Sequence, residues 1–328
     1  MKVSRWVFWM AIATLAFGAQ LRAETIRYTI SEEGSEAAAA EASCDDCGSC
    51  FSCTPCCDDG GLSFSLFAPS EPCFDDFISP MTNPVYFEDP RQVSEARAIY
   101  LTHKVPLAAG GGRVNLFALQ VRAAVNDKLS IIATKDGYMT SSNPLINDGW
   151  ADINLGVKYS LLRDSATGTL LSAGATYEAP FGSPQSLQGN GNGTFNLFLS
   201  GGRRIGDNGH WLSTVGGLMT TSPAVESEFI YWSNHFDRKI SDVTYAFTEF
   251  NWYNYTASGA GGIPGVEGGD LFNLGSTGVT GNDIVTGAFG LKFKPSRHTE
   301  IGAAWEVPLT ARRDVLDNRL TFDFILRY

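Results

Sequence analysis

The chain has 328 residues, of which 44% are hydrophobic and 18% are charged, and its formal net charge is −11 at pH 7. The mean hydropathy is −0.06, and beyond the N-terminus no apolar run approaches the ~18 residues that a membrane helix requires. These values exclude a polytopic helical membrane protein and a fully disordered chain, and the negative charge argues against a nucleic-acid partner.

Residues 1–23 have the features of a cleaved secretion signal. Lys2 and Arg5 form a basic start, residues 6–17 form an apolar core, and a small residue, Ala23, precedes the expected cleavage position. The apolar core is too short to remain as a membrane-spanning anchor. We therefore expect an exported protein.

Residues 24–90 form an acidic, cysteine-rich segment with 14 acidic residues and one base, Arg27. All seven cysteines lie between positions 44 and 73, and the spacers between them are turn-forming residues. Export favours disulfides or a low-complexity spacer, whereas successive CxxC units could hold a metal, and an odd count leaves room for an intermolecular crosslink. We expect a largely irregular periplasmic appendage, with its metal content unknown and no cofactor.

From residue 94 onward, apolar and polar residues alternate with a period of two, which is typical of β-strands. In 151–161 one face is apolar from Ile153 to Leu161, whereas the other carries Asp152, Asn154 and Lys158. The pattern predicts twelve strands, at 94–104, 113–125, 128–136, 150–162, 169–179, 194–205, 210–220, 228–238, 242–255, 283–294, 299–309 and 317–328.

The loops between these strands alternate between long and short, as they do in outer-membrane barrels with short periplasmic turns and longer external loops. The pattern predicts an all-β chain whose residues 91–328 form a transmembrane antiparallel up-and-down β-barrel of about twelve strands. Both ends of the mature chain are then periplasmic. Tyr328, an aromatic residue at the end of the last strand, is typical of barrels that the outer-membrane barrel assembly machinery inserts, so this machinery and outer-membrane lipid are the expected partners.

Two stretches carry a family resemblance. Gly149-Trp150-Ala151-Asp152-Ile153-Asn154-Leu155-Gly156-Val157-Lys158-Tyr159 and Ser172-Ala173-Gly174-Ala175-Thr176-Tyr177-Glu178-Ala179-Pro180-Phe181-Gly182 resemble consecutive strands of the exported barrel family named for the MetA pathway of phenol degradation. The resemblance implies an outer-membrane channel or transporter of small molecules, with aromatic ones as candidates. It covers residues 91–328 and excludes the cysteine segment.

The four histidines are the candidate catalytic residues, because some outer-membrane barrels are hydrolases. His235 alone is expected to project into the middle of the barrel, with Ser233 on the same face, whereas His103, His210 and His298 fall near strand ends. Without a residue to orient His235, we expect no enzyme and no catalytic residues. The charged stretches Lys135-Asp136 and 312–314 are interpreted as loop charges at or beyond the external strand ends, with contact to lipid headgroup phosphates as the alternative.

Assigning the polar face of each strand inward predicts which charged residues line the lumen. These candidates are Arg122, Asp152, Lys158, Glu178, Glu249, Lys292, Lys294, Glu300, Glu306, Asp323 and Arg327. All five bases fall in the periplasmic half. If Leu309 faces Asn318 in the last hairpin, Glu300 faces Arg327 and also approaches Lys294, which predicts a Lys294–Glu300–Arg327 cluster at a basic constriction.

Two functions follow from this arrangement. The first is a channel or transporter for small solutes, with aromatic or hydrophobic ones as candidates. The second is a structural or interaction barrel with a closed lumen that binds a partner through external loop 256–282 or the periplasmic tail. Because twelve strands enclose a narrow lumen, side chains or the N-terminal segment could plug it. We expect the barrel to fold without residues 24–90, since these lack the apolar periodicity to contribute a core.

Overall fold

The computed structural model describes residues 67–328; the predicted signal peptide and six of the seven cysteines lie outside the described residues. Fourteen β segments follow in chain order: β1 (Glu95–Lys104), β2 (Arg113–Ala124), β3 (Leu129–Lys135), β4 (Tyr138–Ser141), β5 (Gly149–Trp150), β6 (Ile153–Asp164), β7 (Thr169–Ala179), β8 (Thr194–Ile205), β9 (Gly209–Thr220), β10 (Glu228–Lys239), β11 (Thr244–Ala257), β12 (Asp283–Ser296), β13 (Thr299–Pro308) and β14 (Asn318–Arg327). Helical structure in this part of the chain is limited to three-residue 3₁₀ turns. No helix among residues 67–328 is long and apolar enough to cross a membrane.

The segments close into one antiparallel barrel of twelve strands. β1 pairs with both β2 and β14, which joins the two ends of the sheet. β3 and β4 lie end to end between β2 and the β5–β6 pair, so four of the segments make only two barrel strands. The predicted fold class is therefore confirmed, and closure leaves no unpaired sheet edge.

Apolar side chains face outward and polar ones inward because the side-chain direction alternates along each strand. In β6, Leu155 and Val157 are exposed on the outer surface, whereas Asn154 and Lys158 on either side of them are buried. One end of the barrel, which we call the short-turn end, has connections of two to four residues. The opposite, long-loop end carries 105–112, 142–148, 180–193, 221–227, 258–282 and 309–317.

The third and fourth strands are longer than the sequence pattern predicts. The predicted loop 137–149 shortens to 142–148, because the strand resumes at Tyr138 after an irregularity at Asp136 and Gly137. Gly137 has φ 114°, and a Cβ at this position would lie 2.3 Å from the Phe117 carbonyl oxygen. The bulge therefore requires glycine.

Residues 67–90, expected as part of a periplasmic appendage, are instead packed against the barrel. We call residues 74–94 the plug. Every residue from 77 to 95 is buried, and Phe74, Phe77, Ile78, Met81, Val85, Tyr86 and Phe87 belong to the hydrophobic clusters of the core. The expectation that the whole of 24–90 contributes no core is wrong for its described part.

Candidate functional site: the plugged lumen

The plug makes hydrogen bonds to strands on all sides of the barrel. The Ser79 amide donates to Glu300 on β13 at 3.1 Å, and Asn83 Nδ2 donates to Ser233 Oγ on β10 at 2.9 Å. Ser200 on β8 donates to the Glu88 carbonyl, and Gln120 on β2 donates to the carbonyl of residue 84. A segment that contacts the whole circumference of a closed sheet must lie inside it, so the plug fills the lumen.

A carboxylate of the plug is held by two cations of the wall. Glu88 accepts from Arg122 Nη2 at 2.7 Å and from Lys158 Nζ at 2.8 Å. Arg122 also reaches Glu95, at the start of β1, at 3.1 Å. Since all four side chains are buried, removing one partner would leave an uncompensated charge in a low-dielectric interior, which costs about 3–5 kcal/mol.

Glu300 is the centre of the second ionic cluster. Arg327 Nη1, Lys292 Nζ and Lys294 Nζ lie 2.5, 3.1 and 3.7 Å from its carboxylate oxygens. The predicted cluster of Lys294, Glu300 and Arg327 is thus present in the structure, and Lys292 joins it. Lys294 also donates to the carbonyl oxygens of Asp75 and Phe77, so both charge signs of the cluster bind the plug.

Glu249 on β11, two strands from Glu300 in the barrel, also binds the plug. Its two oxygens accept from the amides of Met81 at 2.8 Å and Thr82 at 2.6 Å, and the Thr82 hydroxyl donates to it as well. His235 Nδ1 lies 2.7 Å from Glu249 Oε1, and His235 Nε2 lies 3.1 Å from Asp237 Oδ2. Both ring nitrogens of His235 therefore face carboxylates. Neither is directed at Ser233, so the pair considered for hydrolysis does not form.

The long loop 258–282 folds over the mouth of the lumen at the long-loop end. Its Asp270 carboxylate lies 2.9 Å from Arg319 Nη1, and Arg319 Nε lies 2.9 Å from Glu306. The loop's Leu271 and Phe272 pack into a hydrophobic cluster with residues of β1, β2 and β4. The lumen is thus filled by the plug and capped by this loop.

Two predominantly apolar spaces lie on the two sides of the barrel wall at the irregularity between β3 and β4. A small inner cavity of ≈ 20 Å³ is lined by Val85 of the plug, Leu271 of the loop and mainly apolar wall residues, with Lys135 and Asp136 among them. An outer groove of ≈ 900 Å³ runs along the outside of the same wall. Both are lined by Ile99, Ala118, Asp136 and Ala151.

The eleven charged residues assigned inward all lie on the inner face, and each belongs to an ion pair or hydrogen bond. Ten are buried, and Glu178 is half-buried beside Lys135 at 2.6 Å. Asp152 accepts from the amides of Gly182 and Gly189 in loop 180–193 rather than from a cation. Asp323 lies 2.8 Å from Arg97 and 3.0 Å from Lys292.

Several charged residues of the lumen are not predicted by the sequence pattern. Lys135 was interpreted as a loop charge at an external strand end, but it faces inward and is 8% exposed. Arg97 lies on a strand whose inner face also carries Ile99 and Leu101, so polarity does not separate its faces. Arg319 occupies the inner face of β14 and could have been found by the same parity that identified Asp323.

Cys73 is the one cysteine within residues 67–328, and it is disulfide-bonded, which for this residue fits the disulfide interpretation. No cluster of three or more His, Cys, Asp or Glu in this part of the chain has a metal-binding arrangement.

No protein-family model and no curated protein matches the chain. Among solved structures, a COG4313 outer membrane channel from Pseudomonas putida F1 is similar, with a TM-score of 0.52 and 11% identity over 77% of this chain and 100% of that one. What the two share is the fold. A structure described as the KdgM porin has a TM-score of 0.44 and 9% identity over 71% of this chain and 99% of that one.

Proposed function

We propose that the chain is an outer-membrane barrel that passes small apolar solutes, aromatic ones among them. The observation that carries the proposal is the pair of predominantly apolar spaces on the two sides of the irregular stretch of wall at Asp136 and Gly137. Ala118 and Ala151 are the small side chains common to both, and the β-ladder is interrupted there.

The filled lumen supports apolar rather than polar solutes. A hydrophilic molecule would have to displace a plug held by Glu88, Glu249 and Glu300. Breaking such buried charge-assisted bonds is costly. An apolar solute gains from leaving water and needs no replacement for those bonds. The proposal assigns the chain no catalytic activity.

The outer-membrane location, with the long loops outside and both ends of the mature chain in the periplasm, is part of the proposal. A peptide tag inserted near Gly262 should be reachable by antibody on intact cells. A tag placed after Glu24 should be reachable only after the outer membrane is permeabilised. The opposite labelling would overturn this topology.

Solute passage is tested by initial uptake of a radiolabelled small aromatic compound into cells that express the full chain or lack it. Expression should raise the rate several-fold. Ala118→Leu, which fills the inner cavity, should return the rate toward that of cells lacking the protein. Ala173→Leu on the lipid-facing side of β7 is the matched control and should leave the rate unchanged. Equal uptake with and without the protein would reject solute passage.

The closed lumen specifically favours a second candidate, a structural or interaction barrel. In this case loop 258–282 or the periplasmic tail would bind a protein partner. Single-channel recording of the full chain in a planar bilayer separates the two, together with the uptake measurement. A barrel that neither conducts nor raises uptake would favour the structural role.

A further inference from the structure

The outer rim of the barrel carries a concentrated patch of positive charge at the long-loop end. Lys104 on β1 is directly opposite Arg113 on β2, and both side chains face outward and are exposed. Asp317 is shared by Lys104 at 2.7 Å and Arg313 at 2.8 Å. Arg113 has no carboxylate partner within residues 67–328, where its contact is the Thr102 hydroxyl at 3.5 Å. Lys104 and Arg313 therefore share one carboxylate, and Arg113 adds a third base to the patch.

The patch is confined to one sector of the rim. Among residues 67–328, the other bases at this end are engaged elsewhere: Lys135 and Arg319 face the lumen, and Arg312 is paired with Asp314. β10 and β12 instead bring Glu228 and Asp283 to this rim. Directly opposed like charges destabilise a sheet, and Asp317 compensates Lys104 but not Arg113, so a further anion beside the pair is favoured.

An aromatic row and an apolar groove lie below the patch on the same strands. Cross-strand pairing aligns the outward-facing rings of Phe322, Tyr100, Phe117, Tyr138 and Trp150 over five neighbouring segments. One step further from the rim, Ala98 lies between Phe324 on β14 and Leu119 on β2. The small side chain between two large ones forms the floor of this half of the ≈ 900 Å³ groove.

The spacing of these features matches one leaflet of a membrane. Lys104 and Ala98 are six residues apart, which is roughly 20 Å along a strand. With the strand tilt of barrels, this becomes about 15 Å of depth, half of a ~30 Å hydrocarbon core. Basic groups therefore lie at the headgroup level, aromatic rings at the interface, and the groove floor at the depth that acyl chains reach.

We infer that the outer face of β14, β1 and β2 is a binding site for a phosphorylated, multiply acylated lipid of the outer leaflet. Its phosphate binds both Lys104 and Arg113, with Arg313 beside them. One of its acyl chains lies along Ala98. The inference rests on the proposed outer-membrane location and orientation but not on solute passage. The lipid occupies the half of the groove over β14, β1 and β2, whereas the wall irregularity at Gly137 lies in the other half.

The experiment uses the full chain in zwitterionic detergent micelles, titrated with lipid A as the probe. Bound lipid is counted by native mass spectrometry, and the unfolding temperature is followed by heat-modifiable migration on gels. Lys104→Gln combined with Arg113→Gln should weaken lipid A binding about tenfold or more, because each base near an anionic headgroup contributes appreciably to affinity. The weakening should be smaller at high salt, where the electrostatic contribution is screened in both proteins.

Two matched controls separate this site from general membrane attraction. Arg238→Gln combined with Lys239→Gln removes a basic pair at the short-turn end and should leave the affinity within about twofold. Ala98→Phe, or the milder Ala98→Leu if the first fails to fold, fills the groove and should weaken binding, whereas Ala173→Phe on β7 should not.

Three results would overturn the inference: equal binding of phosphatidylcholine, unchanged affinity of the Lys104/Arg113 variant, and inorganic phosphate protecting against heat as well as lipid A does. The last would indicate a free-phosphate site instead of a lipid site. None of these readouts depends on uptake, so failure here leaves the proposed solute passage standing.

Discussion

Glu300 and Arg327 form an ion pair although they do not face each other across the last hairpin. The β13–β14 register pairs Glu300 with Ile325, and Arg327 reaches it diagonally, with Nη1 2.5 Å from Glu300 Oε1. The same guanidinium contacts Glu95 through Nε at 2.8 Å and the plug's Ser79 hydroxyl through Nη2 at 2.7 Å. One arginine at the end of the last strand thus connects the barrel seam to the plug.

Glu300→Gln should loosen the plug and shift the ion preference of any conducting state toward anions. The substitution keeps the shape but removes the negative charge that faces Lys292, Lys294 and Arg327. We expect more frequent conducting events in a planar bilayer and a reversal potential displaced toward that of anions, more so at low salt, where screening is weak.

Glu306→Gln is the matched control for this change, because Glu306 lies on the same strand and is bound to an arginine, Arg319, but not to the plug. It should alter the mouth without raising the frequency of events. Unchanged reversal potentials in a conducting Glu300→Gln barrel would contradict the role assigned to the cluster.

Glu249→Gln should release the middle of the plug. A carboxylate accepts strongly from two consecutive amides, whereas an amide side chain offers one weaker oxygen. Hydrogen exchange at Met81 and Thr82 should therefore accelerate by about tenfold or more, if each charged hydrogen bond contributes about 1.5 kcal/mol or more. Glu178→Gln, a lumen carboxylate bound to Lys135, is the control and should not change the two rates. Equal protection in both variants would mean that packing alone holds the plug.

Most of the fold can be predicted from the alternation of apolar and polar side chains. A period of two identifies strand faces, so the twelve strands and the inward direction of residues such as Lys158 follow from sequence. The pattern cannot detect the register of the β13–β14 hairpin. Predicting Glu300 opposite Arg327, where the structure has Ile325, is a shift of two residues, and such a shift leaves every side chain on the same face.

The plug could not be recognised from its sequence because its order comes from distant partners. Residues 74–94 have no strand period, and Glu249 bonds to Thr82 across 167 positions. Acidic residues such as Glu88 and Asp89 are typical of a solvated segment. Only when the barrel supplies Arg122 and Lys158 does burial of Glu88 become favourable.

Gly137→Ala should destabilise the barrel more than an ordinary glycine replacement. Besides the strain of φ 114°, its Cβ would collide with the Phe117 carbonyl oxygen. Gly206→Ala has a similar backbone penalty at φ 63° but meets nothing within 4 Å, so it should cost only about 1 kcal/mol. Denaturant unfolding of both variants in lipid vesicles checks the difference. Equal losses would show that the wall adjusts freely at this bulge.

The packing of loop 258–282 over the mouth should depend on pH through Asp314, which lies in the neighbouring loop 309–317. Burial raises the pKa of Asp314 to about 6, although the Arg312 guanidinium and the Glu267 amide act in the opposite direction. Because the folded pKa exceeds the ordinary value of 3.8, the protonated form favours the packed loop. The stabilisation of the packed loop by protonated Asp314 is complete below about pH 4 and is lost as the pH rises through about 6.

Limited proteolysis of loop 258–282 at pH 5 and pH 7.5 tests this dependence. The natural chain should be cleaved faster, relative to an Asp314→Asn variant, at the higher pH. Asn cannot ionise, so the variant should lack the pH-dependent component. A constant ratio of the two rates at both pH values would assign the loop's stability to other contacts.

Locking the plug to the wall should show whether it must move for transport. Asn83 Nδ2 lies 2.9 Å from Ser233 Oγ, so cysteines at these two positions lie within reach of a short, reducible thiol crosslinker. If the plug yields to solutes, crosslinking the Asn83→Cys, Ser233→Cys double variant should abolish conductance and uptake of the aromatic probe, and a reductant that cleaves the crosslinker should restore both. Asn83→Cys alone is the control for lost hydrogen bonding. Should conductance vanish while uptake persists in the crosslinked double variant, solutes would bypass the plug through the wall beside Gly137, since that path requires no displacement of Asn83.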